Sequence, residues 1–172
     1  DESFETLHQG KVYEKEEKQE EKQETTIEDE HSEVIKQGQS YVQELKRLNI
    51  NIINHNVSTS IDHIEVTTSK IFEYVSKHPE NIKDIRKFMK YYLPMTIKLL
   101  KAYEELEQQP ISGENIENSK DEIEDTLKSL DYAFMKILDD LFMNTAMDVS
   151  SDATVLENML RQDGLSENKL KM

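Results

Sequence analysis

Apolar side chains recur along most of this chain at alternating steps of three and four residues, the spacing that lines up one face of an α-helix. The longest run lies within 82–106. Ile82, Ile85, Met89, Tyr92, Thr96, Leu99, Tyr103 and Leu106 form one stripe there, and Phe88, Leu93, Ile97 and Leu100 broaden it. Pro94 falls in mid-pattern, where it removes a backbone hydrogen bond and its ring presses on the carbonyl four residues back. A kinked helix is predicted, starting with Pro79 in its first turn and running to about Gln109.

The other elements follow from the same repeat. Val34, Gly38, Tyr41, Leu45, Leu48 and Ile52 predict a first helix over about 31–54. Val57, Ile61, Ile64, Thr68, Ile71 and Val75 predict a second. Asparagines and β-branched residues between them weaken a helix, so a tight turn near 54–58 is preferred to one long bent helix. After a loop at 108–115, a fourth helix carries Ile116, Ile123, Leu127, Leu130, Phe134, Ile137 and Leu141, widened by Leu138 and Phe142. Asp148, Ser150, Ser151 and Asp152 read as helix-capping residues, ahead of a short last helix that turns Val155, Leu156, Met159 and Leu160 inward and stops at Gly164. Short loops between amphipathic helices predict an all-α fold. The expected form is an antiparallel bundle of about four long helices plus a short C-terminal helix.

Charge divides the chain. Residues 1–33 hold 4 lysines against 13 carboxylates, with almost no apolar periodicity, too little to offset the entropy of ordering. The expected organisation is therefore a charged, disordered linker over 1–33, a helical domain over 34–164 and a tail over 165–172. The net charge of −15 repels nucleic acid, which is not expected as a partner. The chain has no cysteine, which closes thiol chemistry and thiolate metal sites. No run is long and apolar enough for a membrane span, and the sequence opens at Asp1 without an initiator methionine, so a segment upstream is expected.

Three stretches carry a resemblance. KIFEYVSKHPENIKDIRKFMKYYLPMTIKLLKAYEELEQQPISGENI, the DEIEDTLKSLDYAFMKILDDLF block and DVSSDATVLENML resemble the 5-bromo-4-chloroindolyl phosphate hydrolysis proteins, the XpaC family. The likeness covers roughly 34–164, with Phe88 to Pro94 (FxxYYLP) and the DxSSDxxxLExML end at 148–160 as its most specific parts. It implies a helical domain behind an N-terminal membrane segment, held at the inner face of a bacterial membrane. It also implies a neighbour among toxic-anion-resistance (TelA-like) proteins. The family name implies phosphate-ester hydrolysis but assigns no residue to it.

Such hydrolysis needs positive charge or metal at the phosphoryl group and an oriented nucleophile. Arg47, Arg86 and Arg161 lie on three different predicted helices, and no glycine-rich phosphate loop is present. His8, His31, His55, His63 and His78 are scattered; Glu28 and His31 have ExxH spacing, but inside the acidic stretch. Asp139 and Asp140 project ~100° apart on a helix and read as a solvated face. Tyr91, Tyr92 and Tyr103 read as core aromatics. No catalytic residue, metal ligand or cofactor is assigned, and a weak metal-dependent phosphatase is the alternative.

One charge pattern stands apart. From Lys77 to Lys101 seven basic residues oppose two acidic ones, whereas from Glu114 to Asp140 nine acidic residues oppose three lysines. The simpler reading packs the third and fourth helices with complementary rims. The functional one makes Lys83, Lys87, Lys90, Tyr91, Lys98 and Lys101 an interaction surface for an acidic protein partner, such as a TelA-like protein, or for anionic lipid. Self-association through apolar stripes left over after bundling is a further expectation.

Overall fold

The computed structural model describes residues 29–165, and every regular element among them is helical. The fold is all-α. Helix α1 covers 29–51, so the last residues of the expected linker are helical. Contacts made by those residues account for the shift: Glu30 accepts a hydrogen bond from Arg86 at 2.9 Å, and Glu33 accepts one from Gln37 at 3.2 Å. The rest of the linker, residues 1–28, and the tail after Leu165 lie outside the described residues.

The turn after α1 falls at 52–54, slightly earlier than expected, and it is a turn. Asn54 adopts an extended conformation, and its side-chain oxygen accepts from the N–H groups of Asn56 and Val57 at 2.9 and 3.1 Å. That is an N-cap, worth about 1 kcal/mol. It opens α2 (His55–Lys77), which buries Val57, Ile61, Ile64, Thr68, Ile71 and Val75 as its spacing predicts. Gly38 of α1 lies against Phe72 of α2 so closely that a Cβ there would stand inside the ring's van der Waals surface. The glycine lets the two helices approach.

From Pro79 to Glu107 the chain is a continuous helical rod of changing pitch. It starts as a 3₁₀ segment (Pro79–Ile85), widens into a π-turn (Phe88–Tyr92) and continues as α3 (Leu93–Glu107). Pro94 explains the widening. Its ring cannot sit against the carbonyl of residue 90 in a regular α-helix, and a turn of wider pitch opens the ladder at that point. Leu93 accordingly donates to the carbonyl of Phe88, five residues back. The Thr96 hydroxyl donates to the Tyr92 carbonyl at 2.7 Å.

The wide turn inserts one residue into the apolar repeat. Beyond it Leu93, Thr96, Ile97, Leu100 and Tyr103 face the core, while Tyr92 is turned out and Leu99 and Leu106 are only half-buried. The stripe expected through Tyr92, Leu99 and Leu106 is corrected by that one residue.

α4 (Glu114–Leu141) buries Ile123, Leu127, Phe134 and Leu141. Glu114 and Glu117 in its first turn suit the positive end of the helix dipole. Phe134 meets Phe88 edge to face at 4.8 Å, and Phe88 in turn lies 6.1 Å from Phe72, joining α4, the rod and α2 in one core. Burying a phenylalanine of this kind stabilises the fold by roughly 2–3 kcal/mol.

α5 (Met143–Gln162) departs from expectation in start, length and burial. It begins one residue after α4, at the joint Phe142, runs for 20 residues and buries none of them. Asp148, Ser150, Ser151 and Asp152 are interior helical positions rather than caps, and Val155, Leu156, Met159 and Leu160 are exposed rather than inward. With their polar side chains in solvent, Ser and Asp do not compete for the helix's own hydrogen bonds. The stop at Gly164 is as expected. Gly164 takes φ 70°, its N–H bonds to the Arg161 carbonyl, and Leu165 donates to the Leu160 carbonyl at 2.8 Å, a Schellman ending.

Candidate interaction surface

The outer face of the rod is where the sequence places function, and all six proposed residues, Lys83, Lys87, Lys90, Tyr91, Lys98 and Lys101, are exposed there. The π-turn has a direct effect on them. By adding a residue it rotates Tyr91 and Tyr92 out of the core, leaving them 63% and 38% exposed. The expectation that Tyr91, Tyr92 and Tyr103 are all core aromatics therefore holds for Tyr103 alone. Met95, 54% exposed, follows one turn after Tyr91. The Lys87 ammonium sits 5.4 Å from the centre of the Tyr92 ring, a cation–π contact of about 0.5–1 kcal/mol at an exposed site. The result is a small apolar platform, Tyr91 with Met95, rimmed by lysines.

Two basic residues of the rod are engaged by α1. Arg86 pairs with Glu30 at 2.9 Å, and Lys101 with Glu44 at 3.1 Å. Glu44 also accepts two hydrogen bonds from Arg47 at 3.0 Å; these, and then Lys101, hold its carboxyl down to about 2. Among the described residues Lys83, Lys87, Lys90 and Lys98 are in no ion pair.

Among the described residues no ion pair joins the rod to α4, where complementary rims are expected. α4 instead pairs its lysines along its own length: Lys120 with Glu117, Lys128 with Asp125 and Lys136 with Asp140. Lysines three or four residues from a carboxylate on the same helix need no neighbouring helix to pair with.

At the other end of the rod the polar groups close on one another. The buried Tyr103 hydroxyl donates to Glu124 of α4 at 2.7 Å, and Asn54 donates to the same oxygen at 3.1 Å. Glu107 accepts the backbone N–H groups of Ile53 and Asn54, each at 2.8 Å. Burial, and then the Glu124 carboxylate, push the Tyr103 phenol well above the ordinary tyrosine range, so it remains a donor. This cluster clamps the α1–α2 turn to α3 and α4. Sequence reasoning missed it, because its partners stand 21 to 70 residues apart with no local signature.

The described residues contain no group of three or more His, Cys, Asp or Glu able to hold a metal ion. Asp139 and Asp140 are solvated, as expected. Glu28 of the ExxH pair lies outside the described residues. One histidine–carboxylate contact spans two helices: His63 Nδ1 lies 3.3 Å from Asp131, whose other oxygen is buried without a partner. Arg47 is committed to Glu44 and Glu104, and Arg86 to Glu30.

A second surface was not anticipated. Phe142, Ala146, Val149, Ala153, Leu156 and Leu160 repeat at steps of four and three along α5, a seam of the kind that packs against another helix. Beside its root an open apolar hollow of about 580 Å³ is lined by Tyr132, Met135, Leu138 and Phe142. Phe142 itself is held by Tyr74, whose ring lies 4.6 Å away and stacks on His78.

The model of the 5-bromo-4-chloroindolyl phosphate hydrolysis protein family matches residues 6–155. The chain belongs to this family. The match reaches further into the acidic N-terminal stretch than the motifs alone indicate, and it ends inside α5, before Leu156. No curated protein and no solved structure matches the chain. As a member of the 5-bromo-4-chloroindolyl phosphate hydrolysis family, it contains no helix among the described residues that is long and apolar enough to cross a membrane.

Proposed function

We propose that this chain is a non-catalytic helical interaction module. Its body is an antiparallel bundle of the helices up to α4, and α5 is presented for recognition by a protein partner. The observation that carries this reading is α5: a 20-residue amphipathic helix with no buried residue. Exposed apolar surface on this scale marks an interaction site in a soluble body. The partner is a TelA-like toxic-anion-resistance protein, and the module is tethered at the inner face of a bacterial membrane by a segment outside this sequence. Capture of a purified TelA-like protein on the immobilised chain tests it. Retention that is lost in Leu156→Glu/Leu160→Glu supports the reading, and no retention with both proteins folded overturns it.

The family description favours a second reading, hydrolysis of a phosphate ester, with His63 and Asp131 as the only inter-helical histidine–carboxylate contact among the described residues. Purified protein incubated with an indolyl phosphate and a panel of divalent metals decides between them. Sustained turnover abolished by Asp131→Asn would replace the first reading with the second.

A further inference from the structure

We infer that α5 of one copy docks on the lysine-rimmed tyrosine platform of a second copy, and that the exchange is reciprocal. The inference rests on the interaction-module reading and extends it: with no partner bound, a second copy occupies both open surfaces. Each surface lacks what the other has. α5 carries an apolar seam flanked by Asp148, Asp152 and Glu157 against a single basic residue, Arg161. The rod carries an apolar centre, Tyr91 and Met95, flanked by Lys83, Lys87, Lys90 and Lys98.

Two copies of α5 facing each other would bring like charges together, which disfavours simple arm-to-arm pairing. Arm to platform brings opposite charges together and covers apolar surface on both sides. Exchanged reciprocally, it makes the same contact twice about a two-fold axis and closes the assembly as a dimer. The one-residue joint at Phe142 leaves α5 clear of its own body, in keeping with exchange between copies.

Sedimentation of the full 172-residue chain tests this, with two charge-reversed variants. One carries Lys83→Glu, Lys87→Glu and Lys90→Glu; the other carries Asp148→Lys, Asp152→Lys and Glu157→Lys. All six positions are exposed, so helix content and thermal midpoint should match the parent. The parent is expected to dimerise, less so as salt rises, and each variant alone to dimerise about tenfold or more weakly. Mixing the two variants should restore dimers, because each arm then meets a platform of opposite sign.

A parent that stays monomeric to about 100 μM overturns the inference whatever the variants do. So do dimers indifferent to both reversals, and variants that mixing fails to rescue, the result expected if α5 folds back within one chain. Binding of the parent to anionic vesicles in place of dimer formation would assign the platform to lipid instead. A monomer that still captures the TelA-like protein removes the exchange and leaves the module reading. A dimer that captures nothing does the reverse.

Discussion

α4 and α5 stand end to end with one residue between them, and both carry apolar side chains at three-and-four spacing. α4 turns Ile123, Leu127, Phe134 and Leu141 into a shared core. α5 turns Val149, Leu156 and Leu160 into solvent. The difference lies in what surrounds them. α4 packs on α2 and on α3, whereas α5 meets chiefly the end of α4 that it follows. Apolar periodicity therefore measures a helix's capacity to bury a face, and topology decides whether anything in the same chain covers it.

Substitutions on the two helices give the sharpest contrast. Phe134→Ala should destabilise the fold by about 3–5 kcal/mol, whereas Leu156→Ala should change it by less than about 0.5 kcal/mol. Urea unfolding at a protein concentration below any self-association measures both. A large loss from Leu156→Ala would mean that α5 packs on its own body and would break the comparison.

A smaller effect is expected where α1 meets α2. Gly38→Ala places a methyl group inside the Phe72 ring surface and should cost about 1–3 kcal/mol, read as a lowered thermal midpoint. An unchanged midpoint would show that α1 slides freely on α2. Next comes the clamp. Tyr103→Phe removes the hydroxyl that donates to Glu124 and should cost about 1–2 kcal/mol, with hydrogen exchange at Ile53 and Asn54 speeding up.

The smallest effect concerns Glu44 and the pH. Its carboxyl is depressed to about 2, so its pairing with Arg47 and Lys101 is fully present above its unperturbed value of 4.5 and fades as the pH falls towards 2. The Glu44 side chain is half-buried at the rim of the bundle but its partners Arg47 and Lys101 are exposed, and solvent screening limits the contribution to about 1 kcal/mol. Comparing parent and Glu44→Gln by urea unfolding from neutral to acid pH should show two curves converging below pH 4.5; parallel curves would count against the pair.

Much of this architecture is legible in the sequence, and the misses share physical causes. The stripes of α1, α2 and α4 are readable because each is an unbroken repeat that meets a core. The α3 stripe slips by a residue because a π-turn leaves no compositional mark besides Pro94, and a kink and an inserted residue look alike in sequence. The sequence predicts too short an α5 because Asp148 to Asp152 suit a helix cap, although the same side chains sit comfortably mid-helix when they face water. The lysine face was legible, since an amphipathic helix declares which charges point outward. The clamp around Tyr103 was not, because Glu107 meets the backbone of Asn54 across 53 residues.

The Schellman ending at Gly164 gives α5 a definite length. At 1.5 Å per residue its 20 residues make a lever of about 30 Å pivoting on Phe142. A rotation of about 10° at that pivot sweeps the far tip through about 5 Å, roughly one turn of helix. The Tyr74–Phe142 ring contact thus sets the direction of α5, because a displacement of under about one ångström at the aromatic pair is magnified to several at Leu160.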